Sequence, residues 1–328
     1  MDAPMNVLLF AQQHRTLLYA ACQALSLNRP VRPLHAWVGF DPGWLRRSRL
    51  LDSLTDASGT RMDDATRLGS LIEWAESLGG GFLLPVDNED FAFVARHRDS
   101  FPSSVRMVPM PEAALLESIT DKLRFARLIE SMGLPVPPTH DLVECLDDPH
   151  RSGGGMFPVV VKQARSMAGR GAFQARDILE LRSRAPANPE RGQWLVQSWV
   201  PGEDVALTLL ADRGEVFAVF LRRRWFKRRR CGPFSPIQDV EFFESDWLEE
   251  LGREWVTRLG FTGIADFDLR VDFENRRAWF LECDPRIMGG VVACHRFGIN
   301  VPGLLVERAR SSESKSPCHR AQARRSPR

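Results

Sequence analysis

The chain has 328 residues, of which 44% are hydrophobic and 26% charged, with a formal net charge of +2. That length exceeds what one simple core organises and fits two or three packed subdomains of an ordinary globular protein. A net charge so near zero excludes a global nucleic-acid footprint, although residues 222–230 are a basic cluster and the tail from 311 is basic and polar.

Six cysteines (Cys22, Cys145, Cys231, Cys283, Cys294 and Cys318) make no CxxC pair, and no histidine pair has zinc spacing. Free thiols in a reducing cytoplasm are expected. No basic N-terminal region leads into a long apolar run, and no stretch reaches the roughly 18 apolar residues of a membrane span. Neither a signal peptide nor a membrane partner is expected.

Residues 6–10 read as a short buried strand, followed by helical character over 16–25. Residues 37–40 and 82–85 read as further strands. Between them 65–78 has helical spacing, with Leu68, Leu71, Ile72 and Ala75 on one stripe. Alternating strand and helix predicts a parallel α/β layer over residues 1–115. The spacing of Phe125, Leu128, Ile129 and Met132 predicts one helix over 118–132, ended by Gly133 and Pro135. The prolines of 133–138 force an extended linker.

Residues 157–162 form a β-branched strand, 164–171 a small-residue loop and 194–199 another strand. Residues 205–211 and 215–221 read as a hairpin around Asp212-Arg213-Gly214. Residues 247–259 are an amphipathic helix, and 267–271 with 278–283 a second hairpin. Units of 116–195 and 196–310 follow from this, with 311–328 reading as a disordered basic tail.

Three segments carry chemistry. Lys162 ends a buried strand beside a loop containing Ser166, Gly169 and Gly171. A lysine so placed can hold phosphate oxygens, and small residues let backbone N–H groups approach a polyphosphate. A strand-edge lysine followed by a glycine turn gives the same pattern. Gln197-Ser198-Trp199-Val200-Pro201-Gly202-Glu203-Asp204 can read an adenine edge through its backbone and ribose hydroxyls through an acid. A plain Pro-Gly turn with solvated acids is the alternative.

The third segment is the most informative. Glu282 and Asp284 are two apart on one strand and share a face, with Asp268 opposite them across the hairpin. Three converging acids repel unless a cation lies between them, and oxygen-only ligands favour magnesium or manganese. Arg286 follows directly and can neutralise a phosphate or a carboxylate.

These segments occur in the order of the ATP-grasp superfamily, which the chain resembles over residues 118–305 and more weakly before them. The resemblance implies an ATP-grasp fold of the α/β class preceded by a parallel α/β domain. It implies that Asp121-Lys122 enters the fold with Lys122 on ATP phosphate, and that Lys162 holds the phosphates under a lid at 164–171. It further implies that Gln197 to Asp204 form the adenine hinge and ribose acid, and that Asp268, Glu282 and Asp284 hold magnesium. The family usually reads Glu-x-Asn-Pro-Arg where this chain has Glu282-Cys283-Asp284-Pro285-Arg286, and an acid where it has Ser198. Leu84-Pro85-Val86-Asp87-Asn88-Glu89 resembles an element of the predicted carboligases in this group.

The implied activity is a two-step ligation in which a carboxylate takes the γ-phosphate as an acylphosphate and an amine then displaces phosphate, with Lys162 and Arg286 as the catalytic cations. A bicarbonate-using carboxylase, or a nucleotide-binding module without turnover, would use the same segments. Arg222, Arg223 and Arg224 fall where relatives border the acceptor pocket, so some of them are expected to bind an anionic substrate. The loops around His14, Asp87 and Glu89 are expected to shape substrate choice. The expected partners are a small carboxylate and an amine, not nucleic acid, and a homodimer remains open.

Overall fold

The first unit is built from β1 (Val7–Ala11), α1 (Arg15–Ser26), β2 (Leu34–Val38), β3 (Ser53–Asp56), α2 (Asp64–Ser77), β4 (Gly81–Pro85), α3 (Asn88–Arg96) and β5 (Val105–Met107). The structure is a computed structural model. It describes residues 6–26, 31, 33–59, 61–148, 156–166, 169, 171–226 and 237–311. Residues 312–328 of the predicted tail, residues 227–230 of the basic cluster and residues 167, 168 and 170 of the small-residue loop lie outside the described residues, while Ser311 ends a helix.

β1, β2 and β4 are buried along their whole length. Apolar runs buried on both faces belong inside a parallel sheet, and the five strands pair in parallel in the order β3-β2-β1-β4-β5. The order reverses between β1 and β4. Ligands of such sheets bind beyond the strand ends at this reversal, where the loops carrying His14 and Asp87 lie.

A helix predicted over 118–132 is two helices, α4 (Ala113–Ile119) and α5 (Lys122–Ser131). Asp121 breaks the run because its carboxylate accepts the backbone N–H groups of Leu123 and Arg124, which caps α5. Lys122 is thereby fixed in the first position of α5. A small sheet follows, with elements β6 (Thr139–Asp141), α6 (Leu142–Asp147), β7 (Val159–Gln163), β8 (Phe173–Ala175), α7 (Ile178–Arg184) and β9 (Trp194–Ser198). Its order is β6-β9-β7-β8. Val159, Val161 and Val196 bury one face against Leu142, Cys145 and Leu181, which turns Val160 and Lys162 to the other face by strand alternation.

The last unit contains β10 (Glu203–Asp212), β11 (Glu215–Phe226), β12 (Ile237–Phe243), α8 (Asp246–Leu259), β13 (Gly263–Asp272), β14 (Arg277–Asp284), α9 (Val291–Arg296) and α10 (Val301–Ser311). Its antiparallel sheet runs β12-β11-β10-β13-β14. Both predicted hairpins are present, as β10–β11 and β13–β14. One face packs Leu207, Leu209, Phe267, Leu269 and Phe280 against Phe125 of α5 and Leu248, Trp255 and Val256 of α8. Phe267 meets Phe280 and Trp255 edge-on at 4.9 Å, a geometry worth about 0.5–1.5 kcal/mol beyond burial.

The chain then returns to the first unit. Val291, Cys294, Val301, Leu305 and Val306 of α9 and α10 join the core formed by β1, β4 and α1. Residues 287–310 therefore complete the core of the unit that the sequence reading ends at 115.

Candidate active site

The polar face of the large sheet is graded along its strands. At one end Leu210, Phe220 and Ile264 are apolar and join the core of the first unit. In the middle, Arg222 donates to Thr208 and to Asp266, and Thr208 donates to Asp266. All three are buried. Farther along come Asp204, Arg224, Asp268 and Arg270, with Glu282 and Asp284 on the neighbouring edge strand. Strand register sets Asp268 opposite Glu282, and Asp266 opposite Asp284.

A bulge fixes this arrangement. Register in β13–β14 shifts between Asp268 and Leu269, because Asp268 faces Glu282 while Leu269 faces Phe280. Simple alternation would place Phe280 on the same face as Glu282. The extra residue, Leu281, breaks the period. Phe280 goes into the core while Glu282 and Asp284 face the opposite side.

Each acid meets a cation from a different element. Lys122 Nζ lies 3.1 Å from Glu282 and donates to the Ser166 carbonyl at 2.6 Å. Both oxygens of Asp268 accept from Arg224, one at 2.7 Å. Arg286 donates to Asp284 at 3.0 Å and lies 3.1 Å from Asp87. Burial opposes the charge of Lys122, but Glu282, Asp284 and Asp268 outweigh it and raise its pKa. Burial also opposes the charge of Asp268, and Arg224 outweighs it and lowers its pKa. Asp284 is pushed up to about 6, first by burial and then by Glu282, Asp268 and Asp266, with Arg286 opposing.

Lys162 differs. It enters the same cleft from β7, and burial lowers it to about 8, helped by Lys122 and opposed by Glu282 and Asp268. Among the described residues its ammonium has no hydrogen bond or ion pair. A desolvated cation with no direct partner is costly unless an anion reaches it.

The three acids expected to hold a metal, Asp268, Glu282 and Asp284, lie along the paired strands β13 and β14. No group of three metal-ligating side chains occurs in metal-holding geometry among the described residues. The physical reason is that each carboxylate is turned onto its basic partner, and Asp268 is held at both oxygens. The donor chemistry still fits a hard divalent ion, since the acids are oxygen-only and sit on paired strands. Glu282 and Asp284 could hold one.

The hinge separates by face. Ser198 and Trp199 spend their N–H groups on the Pro138 and Pro158 carbonyls, and the buried Gln197 amide donates to Thr139 at 2.9 Å. Val200 is half-buried in the turn between β9 and β10. Asp204 faces the cleft, with burial raising its pKa and Arg270 opposing at 3.1 Å. Glu203 does not face it: this carboxylate is exposed and lies 2.7 Å from Arg223. Arg223 stacks over Phe243 and Phe273 on the far side of the sheet, which corrects its expected place beside the substrate. Arg222 and Arg224 face the cleft side but are committed to Asp266 and Asp268. Ser166 presents its carbonyl to Lys122, and Gly169 and Gly171 have φ of 65° and 71°.

The first unit reaches this edge through Asp87 and Asn88. Asp87 is buried between Arg286 and His14, whose Nε2 lies 2.9 Å away. Asn88 donates to Asp284 at 3.3 Å. Buried Asp90 ties both loops together by accepting the N–H groups of Gln12 and Asp87 at 2.9 Å. Glu89 is exposed on α3. Asp266 escaped the sequence reading, although its position two residues before Asp268 on one strand was an available signal. The contact from Asn88 to Asp284 spans 196 residues and left no local signal.

Comparison with known proteins agrees with this layout. A model of the ATP-grasp domain matches residues 119–290, more than half of the chain. The chain belongs to the ATP-grasp family. Among solved structures, this ATP-grasp chain is similar to the biotin carboxylase domain of Hydrogenobacter thermophilus 2-oxoglutarate carboxylase, described as a dimer with MgADP, ADP and bicarbonate. The match has TM-score 0.69 and 16% identity, and covers 94% of this chain and 70% of that one. It is also similar to L-amino acid ligase from Bacillus licheniformis (TM-score 0.65, 15% identity, covering 94% and 75%). N5-carboxyaminoimidazole synthetase from Staphylococcus aureus matches with TM-score 0.60 and 11% identity, covering 87% and 71%. No curated protein matches in sequence. The fold is mixed α/β, with the parallel sheet first and antiparallel sheets after it. No helix among the described residues is long and apolar enough to cross a membrane.

Proposed function

We propose that this chain is an ATP- and magnesium-dependent ligase that activates a carboxylate as an acylphosphate and joins it to an amine. One observation carries the reading. Lys162, a desolvated cation without a partner among the described residues, faces the acids Glu282 and Asp268 in a cleft also entered by Lys122. A nucleotide polyphosphate satisfies both halves of this arrangement. Its oxygens meet the lysines, and the magnesium it carries meets the carboxylates.

In the first step a substrate carboxylate oxygen attacks the γ-phosphorus and ADP leaves. Lys122 and Lys162 hold the phosphates, Asp204 lies on the ribose side, and the backbone from Ser198 to Val200 borders adenine. Glu282 and Asp284 would hold magnesium, which when bound neutralises phosphate charge. Arg286, fixed between Asp87 and Asp284, steadies the acylphosphate. In the second step the amine attacks the acyl carbon, phosphate leaves and the amine gives up a proton. Positioning and charge stabilisation supply this chemistry. Excluding water protects the intermediate from hydrolysis.

A bicarbonate-using carboxylase is the second reading, favoured by the bicarbonate complex of the 2-oxoglutarate carboxylase domain. The dimer described for that domain also makes a homodimer the assembly to test here. Mass spectrometry of ATP-dependent products formed from a metabolite extract, with and without labelled bicarbonate, distinguishes the readings. An amide-bonded product without the label supports the amine ligase. Product formation at the normal rate by Glu282→Gln would refute the metal role.

A further inference from the structure

Behind the lysine cleft lies a second concavity of 650 Å³ where α5 and α6 meet the turn into β9. Four arginines line it, Arg124, Arg127, Arg165 and Arg191, with Asp121, Asp141 and Glu144 as the acids. Lys122 and Lys162 do not line it. We infer that this cleft is a second anion site, taking a compact small-molecule polyanion that carries phosphate or carboxylate groups, separate from the nucleotide site.

The charge balance carries the inference. Asp121 and Asp141 have their oxygens committed. Asp121 accepts from Leu123, Arg124 and Arg165, and Asp141 from Val143, Glu144 and Gly192. Arg191 donates to Asp147 at 3.4 Å and lies 4.0 Å from Glu144. Arg124 and Arg127 remain. Their guanidinium groups are exposed and have no ion pair or side-chain hydrogen bond among the described residues. They stand three residues apart on α5, where like charges repel. The first turn of that helix contains no acid. Cations in that turn also oppose the helix dipole. Apart from the capping Asp121, the charges on this face of α5 are thus of one sign, and that face looks into a walled cleft. Such a conflict is expected where a bound group removes it. Arginine forks suit the planar oxygens of phosphate and carboxylate.

The cleft also reaches the end of β7. Its wall includes Gln163, Ala164 and Arg165, and the next residue, Ser166, gives its carbonyl to Lys122. An anion that draws Arg165 from Asp121 would act on the backbone that accepts from Lys122.

Calorimetric titration of the full chain with pyrophosphate, and separately with citrate, tests this. Wild type is expected to show two pyrophosphate sites, of which Arg124→Gln/Arg127→Gln loses one and Lys162→Ala loses the other. Citrate binding that is at least tenfold weaker in the arginine variant would add carboxylates to the ligand class. Citrate that fails to bind narrows the class to phosphates. Circular dichroism checks the fold of the variants, and Arg191→Gln provides an independent probe of the same wall. The inference is overturned if pyrophosphate binds at one site only, with that site abolished by Lys162→Ala and unchanged by every arginine substitution.

Discussion

Lys162 is under opposing demands. Its ammonium must be charged to hold phosphate, yet burial drives its pKa down to about 8. A base whose folded pKa lies below its unfolded value destabilises the fold while it stays protonated, and that penalty fades as pH rises from about 8 toward the unfolded lysine value near 10.5. Lys162→Met is therefore expected to raise the melting temperature of the nucleotide-free protein at pH 7. The gain should be on the order of 1–2 kcal/mol, after discounting for the part of the side chain that reaches solvent. The same substitution should abolish nucleotide binding. Thermal melts with and without ADP read both effects, and a lower melting temperature without nucleotide would contradict this account. In wild type, ADP affinity should weaken as pH rises through about 8, and Lys162→Arg should flatten that slope. Arg222 presents the opposite case. It is buried against Asp266 and Thr208, so Arg222→Met strands a buried carboxylate at about 3–5 kcal/mol. Arg222→Met/Asp266→Leu should recover most of that loss in denaturant unfolding.

Elements place these residues, and the hinge between β9 and β10 is the most constrained. Gly202 has φ of 123°, and a Cβ there would lie 2.4 Å from the Val271 carbonyl oxygen. Gly202→Ala is expected to cost about 1–3 kcal/mol through strain and to weaken ADP binding several-fold. It does so by displacing the segment from Ser198 to Asp204 rather than by removing a contact. Titration of ADP into the folded variant checks this, and unchanged affinity would separate the hinge from nucleotide binding. The bulge at Leu281 does comparable work on β14 by aiming Phe280 and Glu282 to opposite faces. Much at this scale was legible in the sequence. The hairpins around Asp212-Arg213-Gly214 and Asp272 were visible from turn residues, and the amphipathic α8 from its period. The split between α4 and α5 was not, because the apolar spacing continues across Asp121 while its cap breaks the helix.

At the scale of the whole molecule, α9 and α10 tie the end of the active-site unit to the start of the chain. Leu305 is fully buried in the first core. Leu305→Ala should cost about 2–5 kcal/mol and expose the first unit more than the hairpin sheet. Hydrogen exchange would show loss of protection in β1 and β4 ahead of β10 and β13, and the reverse order would refute the assignment. Sequence alone determined the parallel first layer, the two hairpins and most of the charged groups, because turn chemistry and periodicity are local properties. It also grouped Glu282 and Asp284 on one face, since alternation over two residues needs no tertiary information. Only the tertiary structure decided the pairing of Lys122 with Glu282, of Arg224 with Asp268 and of Asp87 with Arg286. It also turned Glu203 and Arg223 away from the cleft. Those outcomes depend on register, on a single extra residue in β14 and on the return of the chain, and each acts between positions too distant for a local pattern to record.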